Sequence, residues 1–212
     1  SEIYRQVVYI SKKCLEVHNQ PLTNIVFMGM GEPLLNYKNV LRSIHFITSE
    51  EGLNMSYKRI TLSTSGISKM IRKLADDNVK VNLALSLHAA NEELRKKIMP
   101  IGKSNTLEEI RDSLKYYFSI TKKKVTYEYV LLRDVNDSIE DAYQLYKYTK
   151  HLSSKVNIIE YNAVEGLEFK KSSFEKTEKF IGYLLKKGVN VSLRRSRGKD
   201  INAACGQLAN KN

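Results

Sequence analysis

The chain has 212 residues, 42% of them hydrophobic and 27% charged, which excludes a disordered tail, and its apolar runs fall far short of the ~20 residues a membrane span needs. Its 35 Lys and Arg against 23 Asp and Glu leave a formal net charge of +12, the balance of a protein with a polyanionic partner. Two cysteines, Cys14 and Cys205, exclude a disulfide framework, a four-thiolate zinc site and an iron–sulfur cluster held by this chain alone.

Helices and strands alternate along the chain. Residues 1–19 read as a helix with Ile3, Val7, Ile10 and Cys14 on one face. The opening SEIYRQVVYIS lacks the basic-then-apolar layout of a secretory leader, so a cytoplasmic location is expected. Asn24–Gly29 is a short apolar run of the kind a buried strand shows. Tyr37–Glu50 is a helix with Val40, Leu41, Ile44 and Ile47 inward, and Arg59–Ser63 a second strand. Ile67–Asp77 is helical, and Val79–His88 is a third strand with alternating Val79, Val81, Leu83, Leu85 and Leu87. Asn91–Met99 is a short helix ended by Pro100. Thr106–Thr121 and Ser138–Ser153 are helices capped by Thr106 and Ser138, with strands at Val125–Leu132 and Val156–Tyr161 after each. Ser172–Lys187 is a helix, Val189–Arg195 a sixth strand, and Asp200–Leu208 a short terminal helix.

Regular βα alternation means parallel strands joined by crossover helices. Six strands suggest a curved sheet or part of a (β/α) barrel, and in either case ligands bind beyond the C-terminal strand ends. Strand one ends in Gly29-Met30-Gly31-Glu32-Pro33. Glycines there allow a ligand close to the backbone, and Glu32 could accept from a ligand ammonium or hydroxyl, or the segment is an ordinary βα turn. Strand two ends in Ser63-Thr64-Ser65-Gly66, hydroxyls that suit a ribose or a helix cap. Strand three ends in Ser86-Leu87-His88 and strand five in Tyr161-Asn162. The Arg133–Ser138 cluster after strand four is explained by turn and cap chemistry. Residues 186–199 carry six basic groups and no acid, and Arg194, Arg195, Arg197 and Lys199 could meet phosphate oxygens. Cys205 beside this cluster is either a low-pKa nucleophile or a small buried hydrophobe.

The segments VFMGMGEPLLNY, ITLSTSGI, LALSLHAANEELRKKIMPI, YEYVLLRDVNDS, VNIIEYNAVEG and LRRSRGKDINAACGQLA, in this order, resemble the RlmN group of radical S-adenosylmethionine (SAM) methyltransferases. The resemblance runs from about residue 20 to the C-terminus. It implies an α/β fold, a partial (β/α)6-type radical SAM barrel, and methylation of adenine C2 in 23S rRNA and in tRNA. It further implies that Gly31 and Glu32 hold the methionine end of SAM, that Ser63, Ser86, Leu87, His88 and Asn162 hold the rest, and that Cys205 is the methyl carrier. In the family a 4Fe–4S cluster reduces SAM to a 5′-deoxyadenosyl radical, which activates the S-methyl group, with flavodoxin or ferredoxin as external reductant. C2 of adenine is electron-poor, so a carbon radical succeeds where polar methyl transfer fails, and the target base must be unstacked. The cluster beside Cys205 suits RNA phosphates.

The C-x-x-x-C-x-x-C cluster motif is absent from this chain, and Cys14, in Lys13-Cys14-Leu15-Glu16, does not match it. The expectation is therefore a barrel core fragment over 1–212, lacking the first barrel strand and cluster loop, with 189–212 as the C-terminal strand and methyl-carrier loop. Such a fragment has no metal ligands of its own, is expected to be inactive alone, and could self-associate through an exposed sheet edge. A Cfr-like adenine-C8 methyltransferase and an inert RNA-binding module on the same barrel are the alternatives.

Overall fold

The structure, a computed structural model, describes residues 2–99, 101, 104–163, 166 and 168–195. Its elements follow in the order α1 (Glu2–His18), β1 (Ile25–Phe27), α2 (Tyr37–Thr48), β2 (Ile60–Thr64), α3 (Ser68–Asp76), β3 (Asn82–Ser86), α4 (Glu92–Ile98), α5 (Leu107–Thr121), β4 (Val125–Leu131), α6 (Ile139–Thr149), β5 (Ser154–Glu160), α7 (Phe174–Lys186) and β6 (Val191–Arg194). Short 3-10 turns at Pro33–Asn36 and Tyr57–Arg59 complete the path. The strands form one parallel sheet in the order β1-β2-β3-β4-β5-β6, as the βα alternation requires.

The sheet is curved. Flat, its edge strands would lie about 24 Å apart at ~4.8 Å per neighbour. Instead the Arg194 guanidinium on β6 reaches Met28, just past β1, with Nη1 4.0 Å from Sδ. The sheet is therefore a partial barrel with helices on its convex side. Ile60, Leu62, Leu83, Leu85, Val125, Tyr127, Val156 and Ile158 are buried with no exposed surface and meet the helices on that side. Alternate residues, among them Ser63, Ser86, Glu128, Asn157 and Ser192, face the concave side, so the barrel interior is polar.

Two helix starts follow directly from local chemistry. Thr106 and Glu109 form a reciprocal capping box at α5, and Ser138 and Asp141 do the same at α6. Strand three is shorter than its alternation suggests: β3 spans Asn82–Ser86, although Val81 and Leu87 on either side are also fully buried. The face that Ile3, Val7, Ile10 and Cys14 share on α1 is not a buried one. No α1 residue is buried, and Ile10 is 47% exposed. The helix touches the body through Ile3, Tyr4 and Val7, with the Tyr4 ring tilted against Phe46 at 5.6 Å between centroids, and among the described residues no later apolar α1 side chain joins the core. The expected helix at Asp200–Leu208 lies outside the described residues.

Candidate functional site

A cleft of about 370 Å³ opens at the C-terminal ends of the strands. All six strand segments contribute, through Met28 and Gly29, Ser63, Ser86, Glu128, Ile159 and Arg194. Past β1 the chain turns at Gly31, whose φ of +94° favours glycine, and a Cβ at Gly29 or Gly31 would meet only open space. Here the backbone itself forms the wall. Glu32 lines the cleft, but its carboxylate is engaged: Oε2 accepts from the Ser65 amide and hydroxyl, each at 2.6 Å, and Oε1 accepts from the Leu34 amide at 3.1 Å. Glu32 thus ties the end of β1 to the end of β2 while keeping lone-pair capacity on Oε1.

His88 sits in the left-handed region at φ 56°, a conformation that costs a non-glycine residue and that its surroundings enforce. Its amide and that of Leu87 both donate to the Glu128 carbonyl, at 3.2 and 3.0 Å. Asn136, fully buried, donates from Nδ2 to the carbonyls of His88 and Val130 at 2.7 and 2.8 Å, while its Oδ1 accepts from the Leu132 amide at 2.7 Å. The His88 Nδ1 accepts from the Val130 amide at 3.1 Å, which requires an unprotonated Nδ1. Burial, reinforced by the Arg95 charge, pushes the imidazole down to about 4, so it is neutral. The Nε2–H tautomer follows, a single fixed donor on a cleft-lining side chain.

Arg95 holds the neighbouring strand ends from behind. It is 1% exposed, and it donates from Nη2 to Ser65 O at 2.5 Å and to Ser86 O at 3.5 Å, and from Nε to Leu87 O at 3.3 Å. Gly66, at φ +101°, leaves room for it, since a Cβ there would stand 2.8 Å from Ile110 and 3.3 Å from Arg95. Across the floor runs a polar rung of in-register residues, Ser86, Glu128, Asn157 and Ser192. The Ser192 hydroxyl donates to Asn157 Oδ1 at 2.8 Å, and Asn157 Nδ2 donates to Glu128 Oε1 at 2.9 Å. The second Glu128 oxygen, Oε2, is buried with no hydrogen-bond partner among the described residues. Burial raises this carboxyl above its ordinary range against the opposing pull of Asn157, Arg194 and Lys155.

The structure brings Gly31, Glu32, Ser63, Ser86, His88 and Arg194 together around one cleft, with the Ser63 and Ser86 hydroxyls 3.5 Å apart. Leu87 is not part of the cleft lining: its side chain is fully buried in the core, its amide donates to the Glu128 carbonyl and its carbonyl accepts from Arg95. Asn162 is buried just past β5 and is not part of the cleft lining. Arg194, expected among phosphate contacts, turns inward, and Arg195 is exposed beside it. Arg197, Lys199 and Cys205 lie outside the described residues. Sequence reasoning missed Glu128, Arg95 and Asn136, whose importance comes from partners 4–48 positions away. Among the described residues no helix is long and apolar enough to cross a membrane.

Comparison with known proteins agrees with this arrangement. The radical SAM superfamily profile matches residues 2–146. Proteins of Flavobacterium psychrophilum and Flavobacterium johnsoniae, each named "Probable dual-specificity RNA methyltransferase RlmN", are 55% identical over 210 residues, covering 99% of this chain and 60% of their own length. The chain thus spans 60% of the length of these curated relatives. A crystal structure of a radical SAM methyltransferase from Sphaerobacter thermophilus superposes with a TM-score of 0.94 at 39% identity, covering 97% of this chain and 60% of that one. Similar along 99% of its length to proteins named RlmN, the chain belongs to the radical SAM superfamily.

Proposed function

We propose that this chain is the SAM-binding barrel of an RNA methyltransferase that modifies C2 of an adenine in 23S rRNA and tRNA, with Cys205 as methyl carrier. The reading is supported above all by the cleft that unites Gly31, Glu32, Ser63, Ser86 and His88 at the strand ends. SAM suits this lining. The exposed backbone at Gly29 and Gly31 and the remaining lone-pair capacity of Glu32 match an amino-acid moiety. The Ser63 and Ser86 hydroxyls and the open Glu128 oxygen match ribose hydroxyls, and the neutral His88 donor matches a base or carboxylate acceptor. Bound there, SAM supplies an activated methyl group and an adenosyl group. The protein residues orient it: Arg95 and Asn136 hold the backbone that carries Ser86 and His88, and the His88 Nε2 proton stays in place at neutral pH.

A 4Fe–4S cluster does not fit the residues present. Cys14 and Cys205 do not make a three-thiolate set, and no group of three or more His, Cys, Asp or Glu side chains converges among the described residues. The chain alone is expected to transfer no methyl group to RNA. Calorimetric titration with SAM should give saturable, weak binding that falls several-fold in Ser86→Ala and His88→Asn. Absence of saturable heat, or affinity indifferent to both substitutions, would remove the cofactor reading. Cluster absorption and SAM cleavage after reconstitution with iron and sulfide would contradict the expected inactivity.

A further inference from the structure

The net charge of +12 is not spread evenly. At the end of the barrel opposite the cleft, β4 is entered through Lys122-Lys123-Lys124 and β6 through Lys186-Lys187, while Lys150 precedes the intervening β5 and Lys155 is its second residue. The three strands are neighbours in the sheet, so these lysines form one surface, and all but the half-buried Lys123 are exposed. The three connections, residues 122–124, 150–155 and 186–190, contain no acidic residue. None of the seven lysines is ion-paired to a carboxylate among the described residues. Lysines at helix C-termini complement the helix dipole, which accounts for Lys122, Lys150, Lys186 and Lys187 but not for Lys123, Lys124 and Lys155. Lys124 and Lys155 instead line a second cavity, of about 620 Å³, with Thr126, Asn157, Asn190 and the Glu128 carboxyl, and this cavity shares Met28, Glu128 and Arg194 with the cleft. His151 reports the local field: desolvation and then Lys115, Lys150 and Arg111 hold it below the ordinary histidine range.

We infer that this pole is a docking surface for the phosphate backbone of RNA, at the end of the barrel opposite the cleft mouth and used together with it. Lysines are strongly hydrated point charges without a planar fork, suited to phosphates in any sequence rather than to base edges. The large apolar side chains exposed beside them, Ile120 and Leu185, are too few for the apolar centre of a protein interface. The choice of RNA over other polyanions rests on the proposed function; the patch itself does not.

The test is anisotropy of a fluorescein-labelled, mixed-sequence RNA stem–loop over a salt series, using the 212-residue chain. Each phosphate contact contributes roughly 0.7–0.9 to the slope of log affinity against log salt, so Lys122→Gln/Lys123→Gln/Lys124→Gln should lower that slope by about 2. The scattered set Lys12→Gln/Lys38→Gln/Lys179→Gln removes the same charge and should lower it by less than about 1. Lys122 ends α5 in the left-handed region at φ 57°, so Lys122→Gly should raise the melting temperature while weakening RNA binding, which separates docking from folding. An unchanged slope in the triple variant, an equal loss in the scattered set, or loss of flavodoxin binding with RNA binding intact would each overturn the assignment. SAM titration should be unaffected by the triple variant, so a failed cleft and a failed pole are distinguishable.

Discussion

A single buried amide, Asn136, stabilises the cleft rim through bonds with three different backbone groups. Its removal leaves the Leu132 amide and the His88 and Val130 carbonyls without that partner inside the protein, and orphaned buried groups cost about 1–3 kcal/mol each when water cannot replace the partner. Asn136→Ala is expected to destabilise the fold by on the order of 3 kcal/mol in urea unfolding and to weaken SAM binding together with it. A variant with wild-type stability would mean that the loop repacks or that water fills the gap. Nothing in the sequence around Asn136 sets it apart from an ordinary turn asparagine, because one of its acceptors, His88, lies 48 positions earlier. Arg95 was equally hidden: in Glu-Leu-Arg-Lys-Lys it looks like a solvated helix charge, yet it is 1% exposed, with Nη1 unpartnered among the described residues.

At the scale of elements, what could be read from the sequence was what is local. Thr106 and Ser138 were legible as caps because an N-cap bonds an amide three residues on. Thr106→Ala and Ser138→Ala should each cost about 1 kcal/mol, and because the two helix starts share no bond the double variant should lose about the sum, measured by thermal unfolding. A double-variant loss well short of the sum would show that α5 and α6 start as a coupled unit. Strand existence and order were equally readable from βα alternation, and the strand-end rule placed Gly31, Ser63, Ser86 and His88 correctly at the rim. The rung of Ser86, Glu128, Asn157 and Ser192 was not readable, since it depends on the register of four strands spread over more than a hundred residues. In α1 the periodicity is real, but among the described residues only Ile3 and Val7 of its stripe pack on the core, which depends on how far α2 and β1 run beneath it.

Across the whole molecule the sheet keeps an apolar convex face and a polar concave one, and two groups on the polar side give it a pH response. His88, depressed from 6.5 to about 4, contributes stability that is complete above pH 6.5 and declines as the pH falls towards 4, where the neutral form can no longer be kept. Glu128 runs the other way: its carboxyl is raised, so its contribution is present in acid and is lost as the pH rises through the raised value. Where the two ranges overlap they oppose each other, so the acid-side fall in melting temperature should be shallower in His88→Asn and steeper in Glu128→Gln. Asparagine tolerates the left-handed backbone and can still accept from Val130, which keeps the first variant interpretable. An acid limb unchanged in His88→Asn would assign the loss to other groups. The strand order carries one more consequence. Because each strand pairs with the strand just before it in the chain, no ladder waits for a distant segment. The sheet can grow in the direction of synthesis, each βα unit docking on the finished edge left by the last, so folding of this portion can keep pace with its emergence from the ribosome.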